Sequence, residues 1–364
     1  MPNFSEGRSA EAIAAIAGAA ASGGAHVLDV DPDRDHHRVV ISLAAERAKL
    51  IDSLMGAVGA AVEQIDMRTH QGVHPRVGAA DVVPIVPLGQ STLAAARELA
   101  REVGERIWSE LRVPIHWYGE HRSLADIRAG RAVPDLGGPN LHPTAGAVSV
   151  GARLTLVAFN VLLPELDVSQ ARALAHSLRE SQAGMRGVQA LVFELPGGRV
   201  QLSMNLFRVD ETTPADVVAV LTRRGVAIGR QELVGLCPAI AAGEVAAGRL
   251  LEGRLAGSAA RAGALRCRAY GQAHASEEHV ALAARLEGEA AALDALEIDQ
   301  AELLVGAERA AALAPVLGAA KVLDGELEAM LGAAARGLRA AIRQETAAAH
   351  SARIAALDRR LDAV

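Results

Sequence analysis

The sequence predicts an α+β protein: an α/β sandwich of alternating strands and helices, followed by an all-helical region. Three observations carry this reading. Apolar runs of strand length alternate with helical patterns through the first two-thirds of the chain. Two of those runs, on either side of Pro32–Asp35, make a hairpin-like pair. From about Ala241 the strand signals stop, and Ala, Leu, Glu and Arg dominate.

Taken in order, Ser9 followed by Ile13, Ile16, Ala17 and Ala20 predicts a capped amphipathic helix to Ser22. The run Ala25–Asp31 reads as a strand, Pro32-Asp33-Arg34-Asp35 as a turn, and Arg38–Leu43 as the partner strand. A helix over Ala45–Ile65 leads to an irregular loop, and Val82–Val86 is the next strand. A helix over Ser91–Leu111 and a strand over Val113–Tyr118 complete the first part, which suits a mixed or antiparallel sheet. The Gly- and Pro-dense stretch Ala132–Gly146 reads as an extended connection.

Beyond it the order repeats: strand Leu154–Leu163, helix Ser169–Ser181, strands Val188–Leu195 and Val200–Asp210 around Pro196-Gly197-Gly198, helix Thr213–Arg224, and a last strand within Val226–Leu236. Residue identity between the two halves is not obvious, so the repeat rests on element order alone. In the C-terminal region Leu327, Met330, Leu331, Ala334, Leu338 and Ile342 fall at helical spacing, and Gly271, Asp299, Pro315 and Asp324 read as breaks between helices.

Composition excludes several classes. With a formal net charge of -6, no run of like charges and 2% aromatic residues, the chain lacks the basic face and stacking platforms that nucleic acids require. Two cysteines, Cys237 and Cys267, are too few for a disulfide framework or a thiolate zinc site, and point to buried thiols in a reducing compartment. The Ala12–Ala21 run reads as part of a capped helix rather than a leader, and no apolar run spans a bilayer. The cytoplasm is the expected location, with neither membrane nor nucleic acid as partner.

The chemistry-bearing stretch is Asp66–Pro87. His70 and His74 have the spacing of two ligands on one helical face, but Gly72 and Pro75 oppose a helix, so a loop is predicted. Eight of the twelve histidines (His26, His36, His37, His70, His74, His116, His121 and His142) precede residue 143. A metal site of His36, His37, His70 and His74 with Asp31 is one reading, although no tight ligand spacing supports it. Imidazoles that cap turns or face solvent are the plainer reading for most, with one or two as general bases. Arg38, Arg76, Arg122 and Arg153 beside turn formers suit an acidic small molecule, because guanidinium grips carboxylates in a fork. Walker, dinucleotide and nucleophile-elbow motifs are absent from the sequence.

Several motifs, in order, carry a resemblance: PNFSEGR, LDVDPDRDHHR, HQGVHPRVGAADVVPIVP, WYGE, RSLADIRAG, PDLGGP, HPTAGAVSVGARLTLVAFN, QLSMNL and ELVGLCP. Together, from Asn3 to Pro238, they resemble the glutamate formimidoyltransferase (formiminotransferase) family. The resemblance implies two similar ferredoxin-like subdomains, here 1–148 and 149–240, with a substrate tunnel between them, and leaves 241–364 as a helical region. It implies transfer of a formimidoyl group from N-formimidoyl-L-glutamate to N5 of tetrahydrofolate in histidine degradation, no metal, and a homodimer.

By motif, the family's catalytic histidine in G-x-H-P-R is His74. Asp31 corresponds to its acidic partner. The folate-contacting segment falls on Gly137, Gly138, Pro139, Asn140, Leu141, His142, Pro143, Thr144, Ala145 and Gly146, with Arg76 and Arg153 as the arginines for substrate carboxylates. Val73 stands where the family commonly has Glu, and Ala145 where some members carry an aromatic. The chain starts close to Pro2, leaving little of the family's first strand, and no PGGGS-like cyclodeaminase segment is found, so a transferase alone is expected. A non-catalytic folate-binding or scaffold protein of the same fold is the alternative, and a histidine-ligated metalloenzyme the third.

Overall fold

A computed structural model describes residues 1–119, 122–130, 132–242, 246 and 248–361. Glu120 and His121 of the sequence motifs lie outside the described residues. The chain divides into two compact units, one of residues 1–212 and 216–236, the other of 213–215 and 237–364.

The first unit holds two sheets. The strands of the first are β1 (Asn3–Phe4), β2 (His26–Asp33), β3 (Arg38–Ala44), β4 (Ala80–Ile85), β5 (Ile115–Tyr118) and β6 (Val148–Ala152), in the order β2-β3-β1-β4-β6-β5. Its helices are α1 (Ala10–Ser22), α2 (Arg47–Gln64), α3 (Leu93–Arg106) and the short α4 (Leu124–Arg128). Strands β7 (Val157–Leu162), β8 (Val188–Leu195), β9 (Arg199–Leu206) and β10 (Gln231–Val234) form the second sheet, order β10-β7-β9-β8, with helices α5 (Val168–Leu178) and α6 (Pro214–Arg223).

Both sheets are built on one plan. Read as strand–helix–strand–strand–helix–strand, the second sheet places its fourth strand beside its first, then its third and second, and every pairing is antiparallel. The first four strands of the first sheet have the same order and the same antiparallel pairings. This is the ferredoxin-like arrangement in duplicate. The first copy is extended by β6 and β5, which run parallel to β4 and to each other. The fold is therefore α+β with a helical C-terminal region.

Local chemistry accounts for the elements. The Ser9 side chain accepts from Ala12 N at 3.2 Å and starts α1, whose Ile16 and Ala20 are buried. Asp167 and Gln170 close a reciprocal capping box on α5. Helices α1, α2 and α3 cover one face of the first sheet, packing Ile16, Leu54 and Val103 against Phe4, Ile41, Val83 and Ile115. One extra residue, Asp81, interrupts the β1–β4 register: Phe4 pairs with Ala80 and Asn3 with Val82. Such a bulge re-aims a side chain, and here it re-aims a buried carboxylate.

Some sequence expectations are corrected. Strand β2 runs to Asp33, so the turn falls at residues 34–37; Pro32 is tolerated because β2 is an edge strand. Val148–Ala152, which falls between the expected connection and the expected strand from Leu154, is a strand of its own. The helix expected to Leu111 gives way at Ile107 to a π-type turn.

The second unit contains α7 (Leu251–His274), α8 (Glu277–Asp294), α9 (Gln300–Ala319) and α10 (Gly325–Leu361). Gly263 lets Leu317 approach α7: an added Cβ would stand 2.2 Å from Leu317 Cδ2. Gly271 and Pro315 lie inside helices α7 and α9 rather than at breaks; Pro315 falls in the last turns of α9. Cys237 and Cys267 are free and buried. Among the described residues no helix is long and apolar enough to cross a membrane.

Candidate active site

Residues 66–79 form the predicted loop between α2 and β4. Met67 N donates to Thr144 O at 2.7 Å, Ala79 N to Ala145 O at 2.8 Å, and Ala147 N to Val77 O at 3.2 Å. The folate-candidate segment thus lies against the histidine-bearing loop, joined by an antiparallel bridge between Gly78 and Gly146. Gly146 has φ +72°, and a Cβ there would stand 2.5 Å from Val77 O. His142 Nδ1 accepts from Ala145 N at 3.0 Å and holds the turn. Ala145 and Gly146 are buried, whereas Gly138, Pro139, Asn140, Leu141 and Pro143 are exposed.

Arg76 ties this loop to the β2–β3 turn. Its Nε donates to His74 O, Nη1 to His37 O and the His70 ring, and Nη2 to the carbonyls of His36 and His74. All five guanidinium N–H groups are thereby used. The arginine expected to hold a substrate carboxylate is instead a clamp on the loop. His70 stacks on His37 at 4.0 Å between centroids, and burial together with the Arg76 charge pushes its pKa down to about 4. A neutral His70 accepts from Arg76, which is a structural role.

His74 stands differently. Its Nδ1 lies 2.7 Å from Pro75 O. A carbonyl only accepts, so Nδ1 carries the proton and Nε2 keeps the lone pair. No hydrogen bond within the described residues engages Nε2. The ring is T-shaped to His36 at 5.9 Å and tilted against Phe193 at 5.3 Å. Burial pushes its pKa far below the ordinary imidazole range, and the charges of Arg38 and Arg128 push it further. The titration near neutral pH expected of an unperturbed imidazole is thus displaced to acid.

Around His74 the second sheet meets the first. His36, in the turn after β2, has Nε2 2.7 Å from Gln201 Oε1 on β9, and its ring lies 5.0 Å from Phe193 on β8. Arg199 Nη2 donates to Asp35 Oδ2 at 2.7 Å. Arg128, at the end of α4, pairs with Asp81, whose other oxygen accepts from Val77 N at 2.8 Å. Arg38, the first residue of β3, is half-buried, and its guanidinium has no hydrogen bond to any described residue.

Two further expected site residues make contacts of their own. Asp31 is on β2, its Oδ2 accepting from Gly235 N at 2.8 Å. Arg153 follows β6 at the end where β4 finishes, with its N bonded to Ile85 O, beside the Tyr118 hydroxyl and the Met1 amino group. The His74 loop enters β4 at the opposite end, about 20 Å away along six residues of strand. Burial and the Arg153 charge hold the Met1 amino group down to about 4, and burial lifts Tyr118 to about 12. The metal reading finds no support: among the described residues no group of three His, Cys, Asp or Glu side chains is placed to hold an ion.

Phe193, Gln201 and Arg128 are not assigned to the site by sequence reasoning, and His36 is weighed there only as a metal ligand. Gln201 and Arg128 stand in the motifs QLSMNL and RSLADIRAG, but that they come near the His74 loop depends on how the sheets pack.

Comparison with known proteins bears on this site. A family model described as formiminotransferase domain, N-terminal subdomain, matches residues 1–153. Glutamate formimidoyltransferase of Streptococcus pyogenes serotype M1 is 35% identical over 274 residues, covering 68% of this chain and 90% of that protein. The glutamate formimidoyltransferase of Thermoplasma acidophilum is 34% identical over 264 residues, 65% of this chain and 87% of that protein. Formimidoyltransferase-cyclodeaminase of Rattus norvegicus is 32% identical over 268 residues, 65% of this chain and 49% of that protein. A duplicated ferredoxin-like scaffold with a neutral imidazole at its seam is, on these matches, a transferase enzyme. The chain belongs to the glutamate formimidoyltransferase family.

Proposed function

We propose that this enzyme transfers the formimidoyl group of N-formimidoyl-L-glutamate to N5 of tetrahydrofolate, yielding 5-formimidoyltetrahydrofolate and L-glutamate, as a cytoplasmic homodimer in histidine degradation. The observation that carries the reading is His74: neutral, its Nδ1 proton fixed on Pro75 O, and its Nε2 lone pair without a partner among the described residues.

The reaction needs one group that takes a proton and returns it. N5 attacks the electrophilic formimidoyl carbon, forming a carbon–nitrogen bond and a tetrahedral adduct. His74 Nε2 takes the proton from N5 and delivers it to the glutamate nitrogen, whose bond to carbon then breaks. The proton count closes on one imidazole, without net oxidation or reduction. Pro75 restricts the backbone at His74, and the Nδ1 hydrogen bond fixes the ring's bearing.

Tetrahydrofolate is placed against Gly137–Gly146, whose exposed tip at Asn140 and Leu141 stands beside the His74 loop through the Gly78–Gly146 bridge. Asp31 on β2 and Arg153 after β6 remain for the parts of the ligands that extend across the sheet. A coupled spectroscopic assay with N-formimidoyl-L-glutamate and tetrahydrofolate tests the reading. Tetrahydrofolate-dependent release of glutamate is expected; folinate binding without turnover would identify a non-catalytic folate-binding protein.

A further inference from the structure

Three guanidinium groups surround the His74 loop, and they differ in what holds them. Arg76 has all five N–H groups on the loop and turn. Arg128 pairs with Asp81. The Arg38 guanidinium has no hydrogen bond or ion pair within 4 Å to any described residue, although burial is the largest influence on it and holds its pKa down to about 10. After burial, the charges acting on Arg38 are Arg128, Asp81, Asp33 and Arg76, in that order.

The neighbouring carboxylates are engaged. Asp81 accepts from Val77 N with one oxygen and pairs with Arg128 through the other. Asp33 accepts from His36 N at 2.8 Å. The backbone of Arg38 is fixed: it pairs with Asp33 across β2–β3, and the Gly7 backbone is so close that a Cβ there would stand 2.7 Å from Arg38 N. The turn just before it is clamped by Arg76 to the loop bearing His74. A half-buried guanidinium without a protein partner, carried on a fixed strand, presents its fork to a carboxylate.

Building on the formimidoyltransferase reading of this site, the geometry points to Arg38 as the residue that binds a carboxylate of the formimidoyl donor and so selects an acidic donor. N-formimidoyl-L-glutamate brings two carboxylates against one amidinium, so its net charge is opposite to that of the arginine cluster. Arg76 fixes the loop, Arg128 compensates Asp81, and Arg38 alone of the three is available to the ligand.

The test compares the parent chain with Arg38→Gln and Arg38→Lys, after thermal melting has established that each is folded. Arg38→Gln is expected to raise KM for N-formimidoyl-L-glutamate on the order of ten- to hundred-fold, the weight of a hydrogen-bonded charge contact. Its Kd for folinate should stay at the parent value, and its rate with formamidine, a formimidoyl donor lacking carboxylates, should fall far less than its rate with N-formimidoyl-L-glutamate. Arg38→Lys, which keeps the charge and loses the fork, should fall between the two and carries the test if the Gln variant unfolds. An unchanged KM, or an equal loss with both donors, overturns the assignment. Titration with L-glutamate separates this from the parent reading. If the parent chain binds L-glutamate and Arg38→Lys binds it more weakly, Arg38 stands as the carboxylate site even should no formimidoyl transfer be found; equal binding overturns it.

Discussion

His36 Nε2 lies 2.7 Å from Gln201 Oε1, and this contact joins the β2–β3 turn of the first sheet to β9 of the second. Both side chains are buried, and the other ring nitrogen of His36 has no partner among the described residues. The Gln201 carbonyl therefore satisfies the one ring N–H that His36 donates, a few ångströms from the ring of His74.

Gln201→Leu should leave that N–H buried and unpaired, costing about 1–3 kcal/mol of stability. Because His36 also meets His74 edge-on, the variant should lower kcat as well. Urea unfolding and steady-state kinetics check both. Parent-like stability would mean that another group satisfies His36.

His74→Ala should reduce kcat by roughly a hundred- to ten-thousand-fold, the usual range for a general acid–base group, while folinate still binds. His70→Ala should retain most of the rate and lose about 1 kcal/mol of stability, since it removes one acceptor of the Arg76 clamp. Turnover of His74→Ala within a few-fold of the parent, measured in the coupled assay, would remove the proton shuttle from this residue.

How much of this was legible in the residues varies with what each feature depends on. The Ser9 cap, the β2–β3 pair and the β8–β9 hairpin follow from local chemistry, and each was read close to its observed bounds. Duplication was readable only as an element order; the shared strand order made it a structural fact. Strand β6 was missed because Gly151 interrupts its apolar run, yet a Cβ there would stand 2.3 Å from Tyr118 O, so the strand needs that glycine. In the site, motif resemblance selected His74 over His70. It gave no means of ranking the arginines, because the engagement of Arg76 depends on carbonyls of two separate segments.

Gly146→Leu is a poor probe of folate contact. With φ +72° and Val77 O 2.5 Å from an added Cβ, the substitution should strain the bridge to Gly78 and weaken both ligands with a lowered Tm. Leu141, 54% exposed at the tip of the same segment, is the better probe. Leu141→Ala should keep the parent Tm and weaken folinate alone, as read by calorimetric titration.

In the helical unit Glu252 is buried in the first turn of α7 and accepts from Ala239 N at 2.8 Å. Burial raises its carboxyl pKa to about 7. The unfolded chain releases this proton near pH 4.5 and the folded one near pH 7, so its contribution to stability is full below pH 4.5 and is lost as pH rises to 7. Glu252→Gln, which keeps the acceptor without the charge, should raise the unfolding midpoint at pH 8 and leave it nearly unchanged at pH 4.5. The same gain at both values would point to packing rather than to ionisation.

The pH dependence of turnover offers a separate test of His74. The groups acting on its ring are Arg38 and Arg128, which lower its pKa, the neighbouring His36, which lowers it less, and the Pro75 carbonyl, which raises it. Asp81 and Asp33 act in turn on Arg38. A base works when neutral, so kcat/KM falls as pH drops through the pKa of the free enzyme. With that pKa depressed, the parent should show no inflection near 6.5 and a limb displaced to acid pH. Removing one cation in Arg38→Gln relieves part of the depression, so the acid limb should move to higher pH. Folding carries the same sign: below pH 6.5 the unfolded chain binds protons at His70 and His74 that the folded one refuses, so stability falls on acidification. Each such proton is worth about 1.4 kcal/mol per pH unit. His70→Asn should flatten that slope by one proton between pH 6.5 and 4 and leave the kinetic limb in place. A kinetic inflection near 6.5 in the parent, unmoved in Arg38→Gln, would show that the titrating base is another group and that His74 does not carry the proton.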